Sequence, residues 1–418
     1  MVLRPALNTG FSEMGWGSTP PSSAKLIDHI MTVNISLSDL RAFRTQKIMP
    51  SDWLLVDDVA RALLRTLGDA PKEEQKRKYL WQTLDHCVGN VDWSHTFTGK
   101  IGIVCDDILT PEILIEFHYW LRRKCANISN VVLIATHHHG LQQWWQQWQD
   151  SAHETSFGIV DSLPSERLID HYLETLTDIP ESDPNRINYY FSYYGGTKSL
   201  LDREYLTVEM LNFYQHSIID RVGKIWPKSA LVDYLENISY YLDQPAVESF
   251  GRVYDQYIDD NSELNVSAGL KEILEQHSHA NEDLGVAGLA GPKFGHRGIQ
   301  WTIDQQCFAT VVRESNMETP YSTITEKTWR AFYHGLMVIP TGYNAVAELE
   351  QRGFFFPHEI FNYDYQSETS WYQRVQALKA SLTNLIQDYT IEDLRTFRKE
   401  HADQFQQNQQ LIANLKQI

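Results

Sequence analysis

The feature that most limits what this chain can fold into is a unit that occurs twice: an apolar run, a helix and a second apolar run. The first copy is Lys100–Cys105 (KIGIVC), a helix opening at Thr110-Pro111-Glu112 and reaching about Lys124, and then Asn130–Ala135 (NVVLIA). Pro111 suits the first helical position, where no backbone donor is needed. The second copy is Phe308–Val312, a helix over Ile324–His334 stopped by Gly335, and Leu336–Pro340. Runs that are apolar at every position belong to strands covered on both faces, as in parallel sheets. The expected class is α/β. The Pro-, Asp- and Ser-rich stretch Thr177–Arg186 is the best linker, so an N-terminal domain of residues 1–180 should precede a second domain of residues 187–390. Asn188–Tyr194 (NYYFSYY) reads as the first strand of that second domain.

Ligands of open parallel sheets bind at the carboxyl ends of the strands. In the first unit those ends deliver Asp106 and Asp107 from one strand, and His137, His138 and His139 from the other. Asp106, Asp107, His137 and His139 are candidate general bases for a hydroxyl acceptor. An aspartate that caps a turn and a histidine cluster on a surface loop are the simpler alternatives. The corresponding loop of the second unit carries Glu314, Ser315, Asn316 and Tyr321, and the helix start adds Thr325 (an N-cap candidate), Glu326 and Lys327. Backbone amides at a helix start favour a phosphate, and a first-turn lysine supplies a full charge. A solvated, capped amphipathic helix would also explain these residues. Earlier, Gly195-Gly196-Thr197-Lys198-Ser199 and then Arg203 follow the Asn188–Tyr194 run. Lys198 and Arg203 are phosphate candidates, although a plain turn with a solvated lysine fits equally and the Walker spacing is absent.

The order Glu314-Ser315-Asn316, a loop, Ile324-Thr325-Glu326-Lys327-Thr328-Trp329-Arg330-Ala331, then Gly335 to Gly342 (GLMVIPTG), resembles the carboxyl-terminal signature of α-fucosyltransferases. It is also similar to that of fucosyltransferase-like enzymes of bacteria and their viruses. Val346–Phe356 (VAELEQRGFFF) resembles a further block of those relatives, and the likeness covers roughly the last third of the chain. It departs in having Thr323 where the family has tyrosine, with Tyr321 nearby, and in a longer loop. The resemblance implies two Rossmann-like domains facing a cleft, the B-type glycosyltransferase architecture, with a nucleotide-sugar against the second domain. It implies Lys327 on the diphosphate, Glu326 on a sugar or ribose hydroxyl, and Glu314 with Asn316 on the nucleoside side. The terminal segment 391–418 would pack back on the N-terminal domain, as in other B-type transferases.

The expected reaction is sugar transfer from a nucleotide-diphosphate sugar, a GDP-sugar being favoured, to a hydroxyl of a glycan or small molecule, with inversion. The donor is a co-substrate. No Asp-X-Asp triplet occurs in the chain, so no metal cofactor is expected. Two alternatives are a phage-type transferase acting on modified bases of DNA and a non-enzymatic nucleotide- or sugar-binding protein. A net charge of −18 weighs against a DNA acceptor. The 418 residues, 42% hydrophobic with 12 Trp and 21 Tyr, are ample for two cores. Cys87, Cys105, Cys125 and Cys307 show no CxxC spacing and read as free thiols. With no run long enough to span a membrane and no signal segment, the expected location is cytoplasmic.

Elsewhere the patterns predict a loop over residues 8–23, a helix over Ser51–Leu67, a solvated helix start over Pro71–Lys78 and an amphipathic helix over Leu163–Leu176. Leu200–Tyr241 should be mostly helical. Asp259–Leu274 should be acidic and then helical, and Gly285–Gly298 is a glycine-rich basic loop. Helices are expected over Val375–Leu385 and Ile391–Leu415. Trp144, Trp145 and Trp148 fit either core packing or sugar stacking, packing being the simpler.

Overall fold

The computed structural model describes residues 53–57, 81–82, 84–85, 91–97, 99–105, 109–136, 138–162, 183–194, 201–220, 252, 303–314, 317 and 319–415. It is an α/β protein with two parallel four-stranded sheets. The first sheet has the order β1-β2-β3-β5, from β1 (Trp53–Asp57), β2 (Lys100–Cys105), β3 (Val131–Thr136) and β5 (Gly158–Ser162). β1 corrects one expectation, because Trp53–Asp57 lies within the stretch read as a helix. The five residues WLLVD pair in parallel with Lys100–Val104, and that pairing gives partners to the backbone groups on the side facing β2.

Helix α1 (Pro111–Lys124) crosses from β2 to β3. The Thr110 hydroxyl accepts a hydrogen bond from the Ile113 amide, Pro111 occupies the first turn, and Arg122, Arg123 and Lys124 complement the carbonyl end. Its Ile113, Leu114, Phe117, Trp120 and Leu121 are buried, the spacing of one helix face. Helix α2 (Leu141–Ala152) follows β3 and the short β4 (His138–His139). Trp145 stacks on Trp148 at 4.4 Å and on Phe157 at 4.8 Å, and its indole N–H donates to the Phe157 carbonyl. Two of the three tryptophans are therefore core. Each such ring buries a large apolar area, worth about 3 kcal/mol or more.

The second sheet has the order β10-β8-β6-β7, from β6 (Tyr189–Tyr194), β7 (Ser217–Asp220), β8 (Cys307–Val312) and β10 (Met337–Pro340). β7 corrects the reading of Leu200–Tyr241, in which only α3 (Leu201–Met210) is α-helical among the described residues before the strand. Every residue of β8 is buried, as a run without alternation requires. Helix α4 (Glu326–Tyr333) joins β8 to β10 and ends at Gly335, whose φ of 66° is the left-handed turn that favours glycine.

Beyond β10 come α5 (Ala345–Glu350), α6 (Trp371–Asp388), α7 (Ile391–Glu400) and α8 (Ala402–Leu415). Ile391–Leu415 is thus two helices, divided at His401, which stacks on Phe397 at 4.0 Å. Helix α8 packs on α4, and the Gln409 side chain donates to the Tyr333 carbonyl. Arg395 of α7 likewise bonds Ile187 and Asn188 at the start of β6.

The readings for residues 8–23, Pro71–Lys78, Leu163–Leu176, Asp259–Leu274 and Gly285–Gly298, and most of the linker, lie outside the described residues. Among the described residues no helix is long and apolar enough to cross a membrane.

Candidate functional site

Strand order locates the site. From β6 the chain passes through α3 to β7 on one side, whereas β8 lies on the other side of β6 and feeds α4 and β10 beyond it. The connections leaving β6 and β8 therefore diverge. Such a switch of direction opens a crevice at the carboxyl edge of the sheet, where ligands of open α/β sheets bind. Arg203, in the first turn of α3, and Arg313 with Glu314, directly after β8, stand at that edge.

Glu314 is completely buried. Its carboxylate accepts from the Thr325 amide at 3.1 Å, the Thr325 hydroxyl at 2.6 Å and the Thr328 hydroxyl at 2.5 Å. Its own amide donates to Thr341 Oγ1, which in turn donates to the Val312 carbonyl. A buried carboxylate is tolerated only with such donors. Thr325 does occupy the N-cap position of α4, but its side chain makes no cap bond. Glu314 supplies the negative charge at that helix start instead. The carboxylate acts as a positioning group that clamps α4 onto the end of β8. Gly342 lets the next turn close on this clamp, since a Cβ there would sit 3.0 Å from the Thr323 carbonyl oxygen.

Lys327 is half-buried, and its Nζ donates to Thr325 Oγ1 at 3.3 Å. Glu326 opens α4, but its side chain is outside the described part. Tyr321 is buried in the core of the first sheet, against His138 and Trp144, and its hydroxyl donates to the Leu109 carbonyl. It therefore pins the loop after β8 to the other half of the molecule. The backbone of the same loop forms β9 (Ser322–Thr323), which pairs antiparallel with β4, His138 opposite Thr323 and His139 opposite Ser322. This two-rung ladder joins the carboxyl rim of the first sheet to that of the second. The side chain of His139, together with Asp106, Asp107, His137, Lys198 and Asn316, lies outside the described residues.

Three residues at this edge escaped the sequence reading: Asp202, Arg313 and Arg374. Asp202 accepts from the amides of Arg203 and Met317 at 2.8 and 3.2 Å. Burial raises its pKa, against the opposing pull of Arg203 and Arg313. Burial, and then the like charge of Arg313, bring the Arg203 guanidinium down to about 10. Arg374 is buried and donates to three carbonyls, those of Thr341, Glu368 and Met317. A charged residue directly after a strand that is apolar but for Thr310 was the available signal for Arg313. Its meaning depends on β6 lying beside β8.

Among the described residues no group of three or more His, Cys, Asp or Glu side chains is placed to hold a metal ion. Comparison of the chain with protein-family models, with curated proteins and with solved structures finds no match.

Proposed function

We propose that this chain moves a sugar from a nucleoside diphosphate sugar, a GDP-sugar being favoured, to a hydroxyl of a glycan or small-molecule acceptor, with inversion. The observation that supports this most is the ladder of His138–His139 on Ser322–Thr323. It sets two parallel-sheet rims against each other, with Lys327, Arg203 and Arg313 on the side of the second sheet. A transferase needs this division: a base on one rim, and cations for the departing diphosphate on the other.

In this reading Lys327 and Arg203 stabilise the charge that grows on the diphosphate as the glycosidic bond breaks. Glu314 holds Lys327 in place through Thr325, and Glu326 accepts from a donor hydroxyl. Asp106, Asp107, His137 and His139 remain the candidates for the base that takes the acceptor proton. The likeness of Glu314–Gly342 to the fucosyltransferase signature supplies the substrate class.

The test combines thermal-shift screening against nucleotides and sugar nucleotides with a transfer assay on Lys327→Ala. Stabilisation by a nucleoside diphosphate or its sugar ester is expected, as is a loss of transfer of at least about a hundredfold with an unchanged unfolding midpoint. Unaltered turnover in Lys327→Ala would refute the assignment.

A further inference from the structure

The buried arginines of the second domain differ in how their nitrogens are satisfied. Arg374 hands its donors to three backbone carbonyls. Arg398 donates to the Gly335 carbonyl and lies over the Phe405 ring at 3.6 Å, and only its Nη1 makes no hydrogen bond among the described residues. Arg313 is as deeply placed, at 5% exposure, yet its Nε and Nη1 have no hydrogen-bond partner among the described residues. A charged fork left open in a low-dielectric setting is costly. Such a cost is tolerated where a ligand completes the set.

The surroundings indicate which ligand. Arg313 and Arg203 stand at one sheet edge: β6 and β8 are paired neighbours, and the Met317 amide, four residues beyond Arg313, donates at 3.2 Å to Asp202, the residue beside Arg203. Arg313 and Arg203 therefore both bring positive charge to the same edge, and both pull on Asp202. The nearby carboxylates are already engaged, Asp202 by the Arg203 and Met317 amides and Glu314 by Thr325 and Thr328. The carboxylates beside both helix starts are thus engaged by amides and hydroxyls, which leaves the Nε and Nη1 donors of Arg313 for an incoming anion.

We propose that Arg313 and Arg203 together form a pyrophosphoryl-binding pocket, with Arg313 a ligand-contacting residue whose open donors the two phosphoryl groups complete. A pair of planar forks suits neighbouring phosphoryl oxygens better than a single point charge does. The proposal rests on the sugar-nucleotide reading only for the origin of the pyrophosphoryl group, which there is the donor's diphosphate.

The test is titration calorimetry of the full chain with inorganic pyrophosphate, orthophosphate and sulfate, on wild type, Arg313→Met and Arg313→Lys. Thermal unfolding without ligand is recorded alongside, with Arg374→Met as the reference for a structural arginine. Wild type should bind pyrophosphate more tightly than orthophosphate or sulfate, and Arg313→Met should lose at least about tenfold in pyrophosphate affinity. Its ligand-free unfolding midpoint should stay level or rise, because an open buried charge has been removed, whereas that of Arg374→Met should fall. Arg313→Lys keeps the charge but not the fork, and should also bind pyrophosphate more weakly.

Wild-type pyrophosphate affinity in Arg313→Met would overturn the proposal. If Arg313→Met does not fold, wild-type affinity in Arg313→Lys would do the same. A midpoint lowered like that of Arg374→Met with binding intact would mark Arg313 as structural and also overturn it. Pyrophosphate bound through Arg313 without any sugar-nucleotide binding or transfer would keep the pocket and sink the transferase reading. Sugar transfer with pyrophosphate binding indifferent to Arg313 would sink the pocket and keep the transferase.

Discussion

Glu314→Ala tests the clamp between β8 and α4. The substitution removes the acceptor of three donors: the Thr325 amide and the Thr325 and Thr328 hydroxyls. The hydroxyls can rotate toward other acceptors, but the amide is fixed by the backbone. Each buried donor left unsatisfied costs about 1–3 kcal/mol, so one obligatory loss and two partial ones come to about 3 kcal/mol. Thr328→Val removes one donor with little change of shape and should cost about 1 kcal/mol. Glu314→Gln keeps one oxygen and should fall between the two. Urea unfolding of the four single and combined species of the Glu314→Gln and Thr328→Val cycle measures the coupling directly, expected at about 1 kcal/mol or more. If Glu314→Ala costs under about 1 kcal/mol, or the cycle closes additively, the carboxylate does not hold α4 and the account of the clamp is wrong.

A buried group outside the crevice gives a pH signature. Burial works to raise the Asp304 pKa, but the hydrogen bond and charge of His334, helped by Arg330 and Tyr194, outweigh it and leave the carboxyl below its usual 3.8. A depressed carboxyl stabilises the fold above its unfolded pKa and loses that contribution as pH falls through the folded value. Asp304→Asn should therefore flatten stability against pH below about 4, as read by thermal unfolding across an acid series; an unchanged acid slope would exclude the pair as its origin. At the junction of the sheets, Tyr321→Ala should loosen the loop after β8, since it removes a core ring and the bond to Leu109. A cost of about 3 kcal/mol and faster proteolytic cleavage near residue 320 are expected, and wild-type resistance to protease would count against the pin.

Legibility in the sequence followed locality. The α1 unit could be read closely because its signals are neighbours: Thr110 and Pro111 open the helix, and the flanking runs are apolar apart from Lys100 at one end and Thr136 at the other. β1 was misread because Leu54 and Leu55 continue into a helical spacing with Leu63 and Leu64, and five residues are too few to separate the two periods. Parallel pairing with β2, more than forty residues on, decided the matter. β7 was hidden in the same way, as four residues within a helical context. Glu314 and Lys327 were visible as candidates, but Glu314 proved to be committed to residues 11 and 14 positions away. Arg313 gains its meaning from Arg203 across the β6–β8 pairing, over a hundred residues away in the chain. No local pattern carries that information.

The union of β4 with β9 is only two residue pairs long. So short a seam resists slippage along the strand direction, because sliding by one residue would break its bonds and turn its side chains to the other face. It offers little resistance to rocking, since few atoms lie far from its axis. The seam at His138–Thr323, with Tyr321 as the peg beside it, thus favours a pivot over a slide. Any tilt of one half against the other about so short a hinge returns both to the same register.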